Sequence, residues 1–545
     1  MSGCAAAAVA GILINSCINV DKSLGESMIP DNQLYDIYTA EFPIDDIRQE
    51  MVDSLSGYSL YKFTVGAVRD ETFGLTTRSA AFTLVPVNDT LDFGEPGTQV
   101  FRQFHFAAVT DSISYDDPTQ EHILQNINVY ELDKAVDLTK LYPKISYGKT
   151  RITDGVPVYD GRDTLSFNFS REFGEKYLKI TASDLDTISE YTKKFPGIVL
   201  TADAPAGYGG RINMFKLPID VISSTIYGSF AELKFTAQYG DRKQVDTSFI
   251  FYLGPTDIYD MRDVTSTSVS DYPQVAYDMT THQDINGIAG TKAADKIYME
   301  GGRGVKPVIK AGSLRKKIMD ELAKHTDDPS SIVVSKATIK MPFTFPDDYT
   351  KMYLYPIQIS TTCRITTDTT VTFASLTDSS ADDENQGDID RSNCEYAPDL
   401  SHHIQELIRL EDLSKVDNYD VWLLAMASET ISSSTSSSSS SSDYSDYLSS
   451  LMYAQYYNNL YGYGGYGYGS YGYNSYGYNS YYSNYYNYAM LQAMYSSSSS
   501  SSSSNTTTSI MMDFHRFYRA ILNGPESEGR KPTFSITYAV PKSGE

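Results

Sequence analysis

What most constrains this chain is the way its apolar residues are spaced. From Lys62 onward they fall in short β-branched and aromatic runs, such as Lys62-FTVGAV-Arg69, Ala80-AFTLVP, Gln99-VFRQFHFAAV, Asn126-INVYEL, Thr164-LSFNFS and Lys176-YLKITAS. Asp, Gly and Asn bound these runs, and together spacing, alternation and boundaries read as antiparallel strands. The pattern continues in Gly197-IVLTAD, Arg211-INMFKLPI, Ala231-ELKFTAQY and Asp246-TSFIFYLG, then in Ser331-IVVSKATIKMPFTF, Met352-YLYPIQISTTCRI, Thr370-VTFASL, Val421-WLLAMAS and Pro532-TFSITYAVP. Helical patterns are few: Asp184-LDTISEYTKKFP behind a Ser183 cap, Ser313-LRKKIMDELAKH with Leu314, Ile318, Met319 and Leu322 on one face, and Ser401-HHIQELIRLEDL. Helices do not alternate with strands, which excludes a parallel βαβ sheet. The expected fold is mainly β: antiparallel β-sandwich, jelly-roll-like layers with a few short covering helices.

The first residues, MSGCAAAAVAGILINSCINVDKS, have the length and small apolar composition of a signal-peptide core and are too short to span a bilayer. Leu13-Ile14-Asn15-Ser16-Cys17 has the order of a bacterial lipobox, although no Lys or Arg precedes the apolar run. This predicts a signal peptide over 1–16, lipidation of Cys17 and a tether over 17–40, with stable anchoring through several acyl chains. An N-terminal β domain is expected over 41–255 and a second β-rich lobe over 256–545. No later segment is long and apolar enough for a membrane helix, which predicts a soluble body on a lipid anchor.

Inside the second lobe, 430–510 is of low complexity: polyserine, then a Tyr/Gly/Asn run that includes SYGYNSYGYNSYYSN at Ser470–Asn484, then polyserine again. Of the chain's 45 tyrosines, 19 fall between Tyr444 and Tyr495, so the segment is either a functional aromatic concentration or a drifting insertion. Long surface insertions cost little, which makes drift the plain reading. The sharper one has Tyr471, Tyr473, Tyr476 and Tyr478 stacking on sugars or peptides. The run is placed between the last two strands.

Chemistry is sparse in the text. A net charge of −25 opposes nucleic-acid binding, which needs clustered Lys and Arg. Gly301-GRG lacks the Lys-Ser/Thr of a phosphate loop, and Gly207-YGGR reads as a turn. Adjacent His402 and His403 do not have the i, i+4 spacing of a zinc helix. The acidic loop Asp378-SSADDENQGDIDRSN begins like a calcium loop, with Asp382, Glu384, Gln386 and Gly387, but has Asn393 where Glu is required. Cys363 and Cys394 bracket that loop and are either a disulfide or two free buried thiols. No nucleophile motif is present, so no catalytic residues, metal or cofactor are expected.

Leu60-YKFTVGAVRDETFGLTTRSAAFTLVP, with Gly66, Asp70, Phe73, Gly74 and Ala80 in order, resembles the DUF4270 family of Bacteroidota lipoproteins. Thr110-DSISYDD, Asn126-INVYEL, Phe195-PGIVL and Tyr298-MEGGRGVKPVIK are similar to further pieces of that family. The resemblance implies an outer-membrane lipoprotein, periplasmic or surface-exposed, and no reaction. The function expected is therefore a non-catalytic envelope binding or structural role, with membrane contact through the lipid and an envelope protein or glycan as partner. The alternative is a tethered polysaccharide hydrolase with an unidentified carboxylate pair.

Overall fold

The computed structural model describes residues 34–542 except 54, 56, 60–61, 88–89, 116–117, 138–142, 218, 223–224, 255–273, 286, 367–370, 381–384 and 434–504. Cys17 with its leader, Asp382, Glu384 and the tyrosines Tyr471, Tyr473, Tyr476 and Tyr478 lie outside the described residues. Within them the protein is mainly β, with several antiparallel sheets and a few short helices.

Thirteen strands form the largest sheet. Its pairings return on themselves: Gly74–Pro86 pairs with Lys62–Asp70, then come Gly209–Lys216, Val100–Tyr115, Phe230–Tyr239 and Arg242–Gly254, whose end pairs with Gly74–Pro86 again. The core enclosed by this circuit is aromatic: Phe63, Phe82, Phe104, Phe106, Phe167, Phe215, Phe235 and Phe251 are all buried. Tilted and edge contacts, such as Phe104 with Tyr177 at 5.0 Å and Phe63 with Phe82 at 5.3 Å between centroids, suit the aromatic quadrupole.

A helix, Arg171–Tyr177, packs on the strand Val100–Tyr115, and the strand expected over Lys176–Ser183 does not form. Phe173 and Tyr177 stand one helical turn apart, and the Ser170 side chain caps the Phe173 N–H, so local capping and one apolar face override the strand pattern. Gly174 is required there, because a Cβ would lie 2.1 Å from the Phe101 ring. The expected helix from Asp184 splits into a short 3₁₀ turn, Ala182–Leu185, and a helix Ile188–Lys194. Thr181 and Thr187, not Ser183, supply the caps.

A second core is aliphatic, with Ile47, Ile309, Leu314, Ile318, Ile339, Ile404, Leu407, Leu423 and Ile536 among its buried residues. It lies among a five-stranded sheet, a seven-stranded sheet and the helices Ala311–Leu322 and Ser401–Arg409. Both helix starts are capped from elsewhere: Asp420 accepts the Ala311 N–H at 2.9 Å, and Asp378 accepts those of His402 and His403 at 2.6 and 3.1 Å. His403 is buried and bonds the Tyr419 carbonyl at 2.9 Å.

The sheets do not divide at residue 255. Tyr35–Pro43 pairs with Thr533–Pro541, and Ile47–Val52 pairs with Gly304–Ile309, so these early residues complete the aliphatic lobe. Ala276–Gln283 pairs back with Gly74–Pro86 in the aromatic lobe. The low-complexity run lies between Val421–Ser433 and Asn505–Met512, not between the last two strands, since Arg519–Asn523 and Thr533–Pro541 follow. Cys363 and Cys394 are free thiols. Cys363 sits within the strand Gln358–Thr366, where burial pushes its thiol up to about 12, whereas Cys394 turns the chain at a φ of 50° before Glu395–Tyr396.

Candidate functional site

The two lobes meet at a seam rich in buried charge. Its frame is the alternation of Gly74–Pro86: Thr76, Arg78, Ala80, Phe82 and Leu84 share one face of the strand and are buried. That register carries a guanidinium into the interior. Arg78 Nη1 donates to the Phe514 carbonyl and its guanidinium lies 5.6 Å from the Phe517 ring centroid. Its Nε and Nη2 have no hydrogen-bond partner among the described residues.

The segment after Asn505–Met512 plugs this seam. Asp513 Oδ1 accepts the N–H groups of His515 and Arg516 at 3.1 and 2.7 Å, and Oδ2 accepts that of Tyr518 at 2.7 Å. One carboxylate thereby shapes the whole turn, as short acidic side chains do. Gly301 is fitted against it: a Cβ there would fall 2.0 Å from Asp513 Oδ2. The Gly301 N–H donates to the Tyr518 carbonyl at 2.6 Å and the Gly302 N–H to that of Asp513 at 2.5 Å. The glycines of Tyr298-MEGGRG thus serve close packing between chain segments and not phosphate binding.

Further charged and titratable groups complete the cluster. Glu300 Oε2 accepts the Val305 N–H at 3.0 Å while Oε1 faces His282 Nε2 at 3.6 Å. Burial raises the Glu300 carboxyl, but His282, the Val305 N–H and Lys306 outweigh it and hold the group below the usual range. Lys306 donates to the Glu300 carbonyl, and burial pulls its ammonium down to about 8. Asp278 accepts the Thr64 N–H at 3.0 Å and stands 3.8 Å from His515 Nε2. There burial wins over Thr64, Arg78 and Arg303, and the Asp278 carboxyl rises to about 7. His515, bonded to Ser59 Oγ at 3.1 Å, is pushed down to about 3, first by burial and then by Lys62 and Arg78.

This arrangement holds segments together more than it offers chemistry. Each of its carboxylates spends at least one oxygen on backbone N–H groups, and no cluster of metal-ligating residues occurs among the described residues. Of these residues only Gly301 stands out in the sequence, where it lacks the Lys-Ser/Thr of a phosphate loop. Arg78 is legible in principle as the one charge in the buried register of its strand, whereas Asp513 and Glu300 carry no local signal. The family-like residues of Gly66–Gly74 are explained alongside: Asp70 Oδ1 accepts the Thr72 and Phe73 N–H groups at 2.6 and 2.7 Å, and Gly74 closes the turn at a φ of +70°.

The low-complexity run leaves the body on a ribbon. The strand Val421–Ser433 is rooted in the seven-stranded sheet: Val421 and Trp422 pair with Ile309 and Val308, and Trp422 to Met426 pair with Gln358–Thr366 on the other side. From Ala427 to Ser433 its only strand partner among the described residues is Asn505–Met512. At about 3.3 Å per residue, that two-stranded stretch is roughly 20 Å long. Compared with known proteins, the chain matches no family model, no curated protein and no solved structure.

Proposed function

We propose that this chain is a lipid-anchored outer-membrane protein, held through Cys17, that presents its Ser/Tyr-rich segment to an envelope protein or glycan. The observation that carries this reading is the ribbon. One of its strands is central in a sheet, and the other runs directly into the Asp513 turn at the buried seam. A drifting insertion needs no such root, whereas a display element that must bear load does. Residues 434–504 contain no Lys or Arg and only two acidic residues, Asp443 and Asp446, so contacts would be made by tyrosine rings and hydroxyls, as suits a neutral glycan or peptide. Membership in the DUF4270 family belongs to this proposal and rests on the Gly66–Gly74 turn. The sandwich-like layering belongs to it too, although the strand circuit of the aromatic lobe suits a small closed barrel better than an open jelly roll. The carboxylates gathered at the seam give no support to a polysaccharide hydrolase, because they are engaged with backbone groups.

The test is protease shaving of intact cells alongside fractionation of Cys17→Ala. Release of peptides from 434–504 by intact cells, together with loss of the variant from the membrane fraction, is the expected result. A variant that still fractionates with membranes removes the anchor, and a segment cut only after lysis removes the outward display.

A further inference from the structure

On the outer face of the aromatic lobe, three side chains from two paired strands form a hydrogen-bonded relay. Ser166 Oγ lies 3.2 Å from His105 Nε2, and His105 Nδ1 lies 3.0 Å from Asn168 Oδ1. Strand pairing creates the group: Asn168 is directly opposite His105, and Ser166 is opposite Ala107. Ser166 and His105 are 61 positions apart in the chain, so no motif search finds them.

The hydrogen-bond partners orient the relay. Gln103 Nε2 donates to Asn168 Oδ1 at 2.8 Å, so that oxygen is an acceptor. His105 Nδ1 therefore carries the proton it shares with Asn168. In the neutral imidazole Nε2 is then the bare nitrogen and accepts from the Ser166 hydroxyl. This is the tautomer a general base needs. On the far side of His105 the neighbouring strand places Glu232 opposite it, with Glu232 itself paired to Lys234 at 3.0 Å.

The strand also supplies an oxyanion donor. Phe169 donates to the Phe104 carbonyl at 2.8 Å, which turns the N–H groups of Phe167 and Leu165 toward the partner strand. The N–H of Ser166 consequently points the other way. Thr164–Asn168 has no second partner strand there among the described residues. Ser166 and Asn168 are exposed and His105 is half-buried, so the hydroxyl is reachable from solvent.

The geometry points to Ser166, His105 and Asn168 as an acyl-transfer site for small carboxylic esters. Ser166 Oγ attacks the ester carbonyl carbon and its proton passes to His105 Nε2. The oxyanion faces the Ser166 N–H. Collapse expels the alcohol, which takes the proton back from His105. Water, deprotonated by His105, then hydrolyses the acyl-Ser166 and releases the carboxylic acid. Ser166 and Asn168 are exposed, so the substrate class is short acyl esters, including those borne on a large polymer. The site is independent of how the protein is anchored.

The test uses the purified chain with a fluorophosphonate probe and p-nitrophenyl acetate. Expected are a labelled Ser166 peptide by mass spectrometry, loss of label in Ser166→Ala, and a labelling and turnover rate lower by about 100-fold or more in His105→Gln, the range that a general base supplies. Asn168→Asp should keep activity where Asn168→Ala loses it, which separates positioning from bulk. Melting curves of Ser166→Ala and His105→Gln check the fold. An unlabelled Ser166 in the folded protein, or a rate that His105→Gln leaves unchanged, overturns the proposal and makes the relay a solvated polar ladder.

Discussion

Arg211 and Arg78 are both fully buried, and they are kept there by different means. Arg211, in the aromatic lobe, spends its nitrogens on neutral groups: Nη1 donates to the carbonyls of Glu121 and Ile123, Nη2 to that of Tyr159, and Nε to Asn213 Oδ1, at 2.6–3.1 Å. Burial pulls it down to about 10. Arg78, at the seam, makes one hydrogen bond among the described residues. Burial pulls it down as well, and the field of Asp513, Asp278 and Glu300 opposes that pull. The first arginine belongs to one lobe and is held by directional bonds. The second joins segments from both lobes and is held by field. Directional bonds to neutral groups are insensitive to pH, whereas a field of carboxylates is not.

The largest effect that breaks this comparison is expected at Arg211. Arg211→Met should cost about 3–5 kcal/mol, because several buried acceptors lose their donor at once. Urea midpoints measure it, and the loss should be the same at pH 5 and pH 8. A loss that changes strongly with pH would show Arg211 to be held by charge as well.

Next is Arg78→Met, expected to cost about 1–3 kcal/mol at pH 5 and more at pH 8. Few bonds are lost, but the carboxylates it balances become harder to ionise, and that penalty grows as the pH rises. Equal losses at both pH values would mean that packing on Phe514 and Phe517 is what matters.

The most sharply pH-dependent is Asp278→Asn. The folded Asp278 carboxyl sits near 7, above the ordinary aspartate value of about 3.9, so the folded state holds the proton more tightly. That contribution to stability is complete below about pH 4 and is lost as the pH rises through 7. The Asn variant keeps an acceptor for the Thr64 N–H and cannot ionise. It should match the wild type near pH 4, draw ahead as the pH rises, and stop gaining above about pH 7, with a slope of at most about 1.4 kcal/mol per pH unit for one proton. A variant that falls behind as the pH rises would make Asp278 a favourable anion for Arg78.

The β content is legible because alternation is local: most expected runs are strands within a few residues. The helix Arg171–Tyr177 is hidden because its large inward residues, Phe173 and Tyr177, are an even number of positions apart and so also suit one face of a strand, and only packing against Val100–Tyr115 decides. Lobe membership is hidden for a different reason. Tyr35–Pro43 finds its partner strand at the other end of the chain, and nothing in a local pattern announces a contact of that span.

By itself the sequence determined the strand class, the acidic balance and the concentration of tyrosine between two serine tracts. Each follows from neighbours along the chain, through alternation or composition. Tertiary structure alone decided that Asp513 sets a turn fitted against Gly301, that Arg78 is balanced by acids from three separate segments, and that Ser166 meets His105. Those relations depend on strand register, where a slip of one residue turns every side chain to the opposite face.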